Sequence, residues 1–303
     1  MQIQSKTKGA LLTISGGICW GLSGSMGQFL FTHENMDSRW LVPVRLGLAG
    51  LLLTGWCLLR NPKETIRPWQ SRQDVIDLLI YGIAGVSMCQ FLYFLTIQLS
   101  SAAIATILQD LSPVMILAVG CIKARRFPRP IEILSIVLAL FGVFLLCTHG
   151  DPNHLAIPSS ALLTGVLSAV CVTIYNVQPE RLLRTYPVSV LQGWAFVLGS
   201  LFFCFVFQPW RYYVPLRVWG IIGIAFVVLV GNVLAFTCYM RGVSLIGPQK
   251  AILYGFAEPL TAAVITVYFF HQPFTVYDLL GFLLIFATLV LISLPDQKSA
   301  ESR

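Results

Sequence analysis

The sequence contains very little charge. Only 11% of its 303 residues are Asp, Glu, Lys or Arg, whereas 56% are hydrophobic, and the mean hydropathy is +0.78. A water-soluble domain carries roughly a quarter charged residues. So few charges cannot cover the surface of a soluble protein, and no block is hydrophilic enough to form a separate soluble domain. The scarcity of charge therefore indicates a protein that lies in a membrane.

The sequence also lacks the motifs of metal, redox and nucleotide sites. None of its eight cysteines belongs to a C-x-x-C pair, and isolated thiols in apolar segments behave as small hydrophobic residues. His149, Asp151 and His154 lie close together, but a solvated loop explains them better than a metal site does. The ATP-binding pattern GxxxxGK[ST] is absent. We therefore expect no metal and no cofactor.

The sequence contains many long apolar runs. Ten of them are near twenty residues, the length that crosses a hydrocarbon core of about 30 Å as a helix. They do not alternate apolar and polar residues as barrel strands do, so helices are the only spanning structure left. The predicted spans are about 9–31, 39–59, 75–97, 101–122, 131–148, 159–178, 188–208, 218–240, 248–270 and 275–294.

The basic residues are distributed unevenly between the predicted loops. The formal net charge is +7, which on its own is compatible with nucleic-acid binding. With the N-terminus in the cytoplasm, however, sixteen Lys and Arg residues lie on the cytoplasmic side and three on the other side. Such a bias sets membrane orientation. It predicts that both termini are cytoplasmic and that the loops attract anionic membrane lipid, and it gives no reason to expect a nucleic-acid partner.

The two halves of the sequence resemble each other at a shift of 146 positions. Residues 91–119 then lie over residues 237–265 without a gap, and Tyr93 meets Tyr239. Further matches in this register are Leu99 with Leu245, Ala105 with Ala251, Pro113 with Pro259 and Glu132 with Asp278. Because these matches share one register, they indicate an internal duplication.

The duplication predicts the architecture. Each half holds five predicted spans, and because five is odd, the second half enters the membrane upside down relative to the first. The fold class is therefore an all-α membrane protein of ten transmembrane helices in two inverted five-helix repeats, 9–148 and 159–294. Inverted repeats are the usual architecture of secondary transporters, which bind substrate near the midplane where the repeats meet.

Glu258 is an acidic residue in the middle of the ninth predicted span. An ionisable group at this depth costs roughly 2.5–3.5 kcal/mol on insertion scales, so it must face protein or water. In a continuous helix Lys250, Tyr254 and Glu258 share one face, and Pro259 frees a backbone carbonyl one turn earlier. Two interpretations stay open: Glu258 handles substrate or a proton, or it pairs structurally with Arg45 or Lys250.

The fourth predicted span carries Gln109 and Asp110 just before Pro113. Asp110 aligns with Phe256 rather than with Glu258 in the repeat register, so the two carboxylates need not lie at the same height. Arg45 lies in the outer third of the second span, where a structural ion pair competes with a role in ligand binding. The other polar and aromatic residues within the spans include Trp20, Gln90, Gln98, Tyr175, Asn176, Gln178 and Asn232.

Several features together resemble a known family. The ten spans in two inverted halves, "CWGLSGSMGQFL" in the first span, Arg45 in the second and "AEPLTAAVITVYFF" in the ninth resemble the EamA-type members of the drug/metabolite transporter superfamily. The resemblance covers nearly the whole chain. It implies a carrier of the bacterial inner membrane, often an exporter of amino acids or other small metabolites. The cavity residues that it implies are Trp20, Gln90, Gln109, Tyr175, Asn232, Tyr254 and Glu258.

Three classes of function are consistent with these observations. The first is a secondary carrier of a small organic solute such as an amino acid or an amine, with possible proton coupling through Glu258 or Asp110. The second is an intramembrane enzyme that uses these two acids as a pair, although no catalytic signature accompanies them, and we expect no enzyme. The third is a channel or sensory scaffold, but a channel needs a more continuous polar lining.

Overall fold

The computed structural model describes residues 2–151 and 154–293, and all regular structure in these residues is helical. The α-helices are α1 Gln2–Thr32, α2 Ser38–Arg60, α3 Pro62–Ile66, α4 Arg72–Leu79, α5 Met88–Leu99, α6 Ala102–Gln109, α7 Ser112–Lys123, α8 Pro130–Thr148, α9 Ser159–Val177, α10 Glu180–Thr185, α11 Val188–Phe207, α12 Val218–Phe226, α13 Ala235–Ile246, α14 Pro248–Gly255, α15 Ala257–Tyr268 and α16 Val276–Ser293. The prediction of an all-helical protein is confirmed for this part of the chain.

The described helices include several that can cross a membrane. Seven stretches are long and apolar enough: Ser38–Arg60, Arg72–Leu99, Ala102–Lys123, Pro130–Thr148, Ser159–Val177, Val188–Phe207 and Val218–Ile246. Two shorter apolar stretches follow at Leu253–Tyr268 and Val276–Ile292. α1 has 31 residues, but its glycines and serines make it less apolar than the seven. This composition and these lengths are those of a multi-pass membrane protein.

Two of the predicted spans are each broken into two helices. One break lies between α6 and α7, and the other lies between α14 and α15. Pro113 and Pro259 stand in the first turn of the helix that follows each break, and proline has no N–H to bond the carbonyl four residues earlier. Phe256 joins α14 to α15, so Tyr254 and Glu258 lie on two helices. The expectation of one continuous helix through these residues is therefore wrong.

Two other spans contain a π-helical segment of eight residues. The first, π1 Ile80–Ser87, joins α4 to α5, and the second, π2 Val227–Leu234, joins α12 to α13. π-helical turns are rare, and they frequently occur at functional sites. π2 carries the buried Asn232, and Gly85 of π1 lies against the backbone of Tyr175. Both segments thus place irregular backbone beside residues predicted for the site.

The long helices pack in pairs that join the two halves of the chain. α1 lies against α13 and α15, α2 against α11, α5 against α9, and α8 against α16. The largest cluster of buried apolar side chains runs through α2, α5 and α11 and includes Leu46, Phe94 and Phe203. This apolar packing fixes the helices around a set of polar residues described below.

Glycines let α1 approach the backbone of α15 closely. A Cβ atom at Gly17 would lie 2.9 Å from the carbonyl oxygen of Gly255 and 3.1 Å from the nitrogen of Glu258. At Gly21 it would lie 2.6 Å from the carbonyl oxygen of Glu258 and 2.7 Å from Cβ of Thr261. Small residues at a spacing of four allow such contacts between membrane helices. The backbone around Glu258 is therefore positioned by α1.

Gly21→Ala is expected to destabilise the protein. The added methyl group overlaps α15, and overpacking of this kind costs about 1–3 kcal/mol, so the melting temperature in detergent should fall. Gly55→Ala in α2 is the matched control, because no atom lies within 4 Å of its added methyl group. Alanine favours a helix by up to about 1 kcal/mol over glycine, so this control should melt at or above the wild-type temperature. Equal melting temperatures for the two variants would contradict the close contact.

Candidate substrate site

Two carboxylates come together at the breaks of the two interrupted spans. Asp110 follows α6 directly, and Glu258 lies in the first turn of α15. Both side chains are half-buried, and they are close enough to interact electrostatically. Within residues 2–151 and 154–293 neither carboxylate forms a salt bridge, and Oδ2 of Asp110 is buried without a hydrogen bond. The offset in the repeat register therefore does not keep the two acids apart.

Two tyrosines that were not predicted from the sequence as site residues lie near Glu258. Tyr93 of α5 and Tyr239 of α13 both interact with the Glu258 carboxylate. The hydroxyl of Tyr93 is buried beside the Glu258 carboxylate. Tyr239 packs its ring against Trp20, with 4.9 Å between the ring centroids. The signal in the sequence was the repeat register, in which these two tyrosines align.

α5, α6 and α9 supply a further side of the site. The amide of Gln109 donates a hydrogen bond of 3.0 Å to Sγ of Cys89. Cys89 is buried, packs against Cys171 and Tyr175, and interacts electrostatically with Glu258. Tyr175 also interacts with Glu258. The structure therefore brings Gln109, Tyr175 and, through Tyr239, Trp20 near the two acids.

Arg45 is almost completely buried beside this cluster and has no ion-pair partner in the described chain. Its Nη2 donates a hydrogen bond to Oδ1 of Asn232, and its guanidinium lies 4.1 Å from the centroid of the Phe94 ring. Nε and Nη1 of Arg45, like Nδ2 of Asn232, are buried without hydrogen-bond partners among these residues. Tyr93 interacts electrostatically with both Arg45 and Glu258.

For two predicted site residues the described ranges show no hydrogen bond or ring contact with this cluster. The side chain of Tyr254 is 40% exposed, and no ring contact or hydrogen bond of Tyr254 or Gln90 occurs in the described ranges. The pairing of Glu258 with Arg45 or Lys250, one of the two interpretations from sequence, is not present as a salt bridge in the same ranges. The arrangement therefore leaves the acids of the site available to a ligand.

A polar network joins the two halves at one end of the bundle. Nη2 of Arg181 in α10 forms salt bridges of 2.6 Å with Asp74 and 2.7 Å with Asp77, both in α4. The hydroxyl of Tyr186 donates a 2.7 Å hydrogen bond to Asp74, and Gln178 donates to Asp77. Burial and the bond to Asp74 raise the pKa of Tyr186, so its phenol stays neutral. This network ties the start of α4 to the segment that follows α9.

At the opposite end, a smaller group of polar residues holds the start of α2. Arg39 forms a 2.6 Å salt bridge with Asp37 and donates a 3.0 Å hydrogen bond to the hydroxyl of Tyr212. Burial opposes ionisation of Asp37, but the hydrogen bonds from Arg39 outweigh it and lower the pKa of Asp37. The side chain of Gln98 accepts a hydrogen bond from the backbone of Ser38. Both ends of the bundle are therefore linked by polar side chains.

Comparison with known proteins finds the same family pattern in both halves. The EamA-like transporter family matches residues 7–148 and again residues 159–294. The chain is 34% identical to the uncharacterized inner membrane transporter YicL of Salmonella typhimurium, over 98% of this chain and 99% of that protein. It is 23% identical to the uncharacterized transporter YyaM of Bacillus subtilis, over 80% of this chain and 79% of the relative.

A solved structure shares the fold of the chain. A protein of known crystal structure superposes on it with a TM-score of 0.63, covering 94% of this chain and 96% of that one. The two sequences are 15% identical, so the likeness concerns the fold alone.

Proposed function

Because the chain belongs to the EamA-like transporter family, we propose that it is a secondary transporter that moves an amino acid or an amine by alternating access, in the direction of export. The observation that carries the proposal is the pair of unpaired acids, Asp110 and Glu258, at the breaks of two spans. Broken helices and irregular backbone in membrane transporters line cavities and binding sites. The membrane is the bacterial inner membrane, with both termini in the cytoplasm.

The proposed architecture is ten transmembrane helices in two inverted repeats, 9–148 and 159–294. Several structural correspondences support it. The first and last residues of α14 lie 146 positions after those of α6, and the first and last residues of π2 lie 147 positions after those of π1. The N–H of Arg129 bonds the Glu132 carboxylate, and the N–H of Thr275 bonds the Asp278 carboxylate in the same register. Helix breaks, π segments and capping bonds thus recur together.

The chemistry of the site favours a solute with a positively charged group. Two carboxylates that share a poorly hydrated site repel each other when both are ionised, and an ammonium group or a proton relieves this repulsion. Tyr93 and Tyr239 interact with the acids and Trp20 packs against Tyr239, and aromatic faces attract cations by about 0.5–2 kcal/mol. A proton that competes with the solute for the same acids provides a coupling mechanism. The buried, unpaired N–H groups of Arg45 suit the carboxylate of an amino acid.

The proposal is tested by flux measurements with the purified protein in proteoliposomes. A mixed pool of amino acids and amines is offered with and without a pH gradient, and the protein-free vesicle is the control. We expect saturable movement of at least one amine-bearing solute, and dependence of its rate on the pH gradient. Flux that rises linearly with concentration would indicate a pore, and preferential movement of purely anionic solutes would contradict the proposed substrate class.

The network around Arg181 is proposed to close the cytoplasmic side of the site. Arg181→Gln removes both salt bridges to α4, so we expect this side to open more often. The measurement is the rate at which a membrane-impermeant maleimide labels Cys171 in a variant that keeps only this cysteine, because Cys171 is buried in the site. The rate should rise several-fold from the cytoplasmic side.

Arg184→Gln is the matched control for this experiment. Arg184 lies in the same short helix, is exposed, and bonds only Glu180 among the described residues, so an exposed pair worth about 0.3–0.5 kcal/mol is lost. Its labelling rate should equal that of the variant that keeps only Cys171 and has no further substitution. Equal rates for Arg181→Gln and Arg184→Gln would argue against a gate at Arg181.

Intramembrane hydrolysis is the second candidate function, because Asp110 and Glu258 lie near each other as an acid pair requires. Two acids in one site can activate water when one is ionised and the other is protonated. Hydrolysis of a peptide or ester by the purified protein, abolished by Asp110→Asn, would favour this function over transport.

A further inference from the structure

A cleft outside the substrate site opens where the chain turns from α7 into α8. Its volume is about 340 Å³. Leu117, Ile122, Phe127 and Ile136 give it apolar walls, and Arg125 and Arg126 also line it. The proposed transport mechanism uses none of these residues.

The turn beside the cleft carries a concentrated positive charge. Lys123, Arg125, Arg126 and Arg129 lie within seven residues, and Glu132 is the nearest acid in sequence. Glu132 accepts two hydrogen bonds of 2.7 Å from Arg126, which fixes that guanidinium at the cleft. Lys123 and Arg125 form no ion pair or side-chain hydrogen bond within the described residues, so their charges are available to a ligand.

The backbone holds Arg125 in an unusual conformation. Its φ is +48°, in the left-handed region where glycine is the preferred residue after a helix. The N–H of Arg125 bonds the carbonyl of Ile122, and the N–H of Arg126 bonds the carbonyl of Cys121, so the helix end determines this geometry. Glycine adopts this conformation without strain, so the turn itself does not require the arginine side chain.

The apolar side of the cleft continues along α8. Ile136 lines the cleft, and on a helix surface it neighbours Ile133 and Leu140, which are both exposed. Phe127 is 95% exposed at the basic end. A ligand that fits this surface has an anionic head beside the arginines and a long apolar tail along α8.

We propose that the cleft binds one anionic phospholipid, with its phosphate at Arg125 and Lys123 and an acyl chain against Ile122, Ile136 and the outer face of α8. Charge complementarity selects the head, because Lys123 and Arg125 carry positive charges that form no ion pair within the described residues. The apolar walls favour a lipid over a free phosphate, because a free phosphate has no apolar surface to bury against them. A lipid with a zwitterionic head lacks the net charge that the turn attracts.

Lipid binding to the purified full-length protein tests this proposal by native mass spectrometry. Phosphatidylglycerol, phosphatidylcholine with the same acyl chains, and glycerol 3-phosphate are titrated separately. The wild type should bind phosphatidylglycerol more tightly than phosphatidylcholine. Arg125→Gly should weaken phosphatidylglycerol binding about fivefold, the contribution of one basic residue at an anionic lipid surface, and should leave phosphatidylcholine binding unchanged.

Arg125→Gly keeps the turn intact, because glycine adopts the left-handed conformation without strain. Its melting temperature without added lipid should equal or exceed that of the wild type. Arg72→Gln removes one exposed charge at the start of α4 and is the control for net charge. An equal loss of binding in both variants would overturn the proposal, and so would equal affinity of the wild type for the two lipids. Binding of glycerol 3-phosphate as tight as that of the lipid would replace it with a phosphate site.

Discussion

Glu258→Gln is expected to lower solute flux in proteoliposomes about ten- to a hundredfold, because loss of a charged hydrogen-bond partner costs about 1.5–3 kcal/mol and each 1.4 kcal/mol is about tenfold. Glutamine keeps the size of the side chain but carries neither charge nor proton. Glu258 forms no salt bridge within residues 2–151 and 154–293, and glutamine can still hydrogen-bond the neighbouring Tyr93 hydroxyl, so the protein should remain folded. Initial rates with and without a pH gradient measure the effect, and the residual flux should no longer respond to the gradient.

Two further variants make this result specific. Glu180→Gln removes an exposed carboxylate that bonds Arg184, and it should transport as the wild type does. Glu258→Asp keeps the charge on a shorter side chain, and it should retain part of the flux and its pH dependence. If Glu258→Gln matches the wild type in both rate and pH dependence, the carboxylate is structural, and Asp110 becomes the candidate for coupling.

Much of the fold could be predicted from the pattern of apolar residues. Run lengths and the absence of alternation predicted helices, and all regular structure in the described part of the chain is helical. The continuity of the helices was less predictable, because Pro259 removes one hydrogen bond and the surrounding packing decides whether the helix kinks or breaks. Here the helix is interrupted at Phe256, three residues before Pro259. The π segments have no comparable sequence signal, since they contain no proline.

The site could be predicted in part. Glu258 and Asp110 were found because acids in apolar runs are costly, and their proximity depended on packing that the repeat register did not reveal. Tyr93 and Tyr239 were visible as aligned residues, but aromatic residues in membrane spans mostly pack, so the alignment alone did not assign them. The partner of Arg45 was unpredictable, because Asn232 is 187 residues away in sequence and reaches it from π2.

Arg45→Gln is expected to leave the melting temperature unchanged or raised, while lowering the flux of carboxylate-bearing solutes about tenfold or more. A buried ion without a partner costs several kcal/mol, and Arg45 has no ion-pair partner within the described residues. The amide of glutamine still donates to Asn232. The burial of this charge has a functional reason if the carboxylate of the solute binds Nε and Nη1 of Arg45 during the transport cycle. The loss should therefore affect an amino acid strongly and the corresponding amine, which lacks the carboxylate, very little.

Arg39→Gln is the matched control within the same helix. Arg39 has a 42% exposed side chain, and Asp37 at the start of α2 compensates its charge. Its loss should therefore lower stability slightly and leave the ratio of amino-acid to amine flux unchanged. The opposite outcome for Arg45→Gln, a lower melting temperature with both fluxes retained, would make Arg45 a structural link between α2 and π2. Equal losses of both fluxes would mean that Arg45 positions Tyr93 and Glu258 rather than binding a carboxylate. Comparing the flux of an amino acid with that of the corresponding amine therefore distinguishes two roles of Arg45. In one role it binds the carboxylate of the solute, and in the other it positions Glu258.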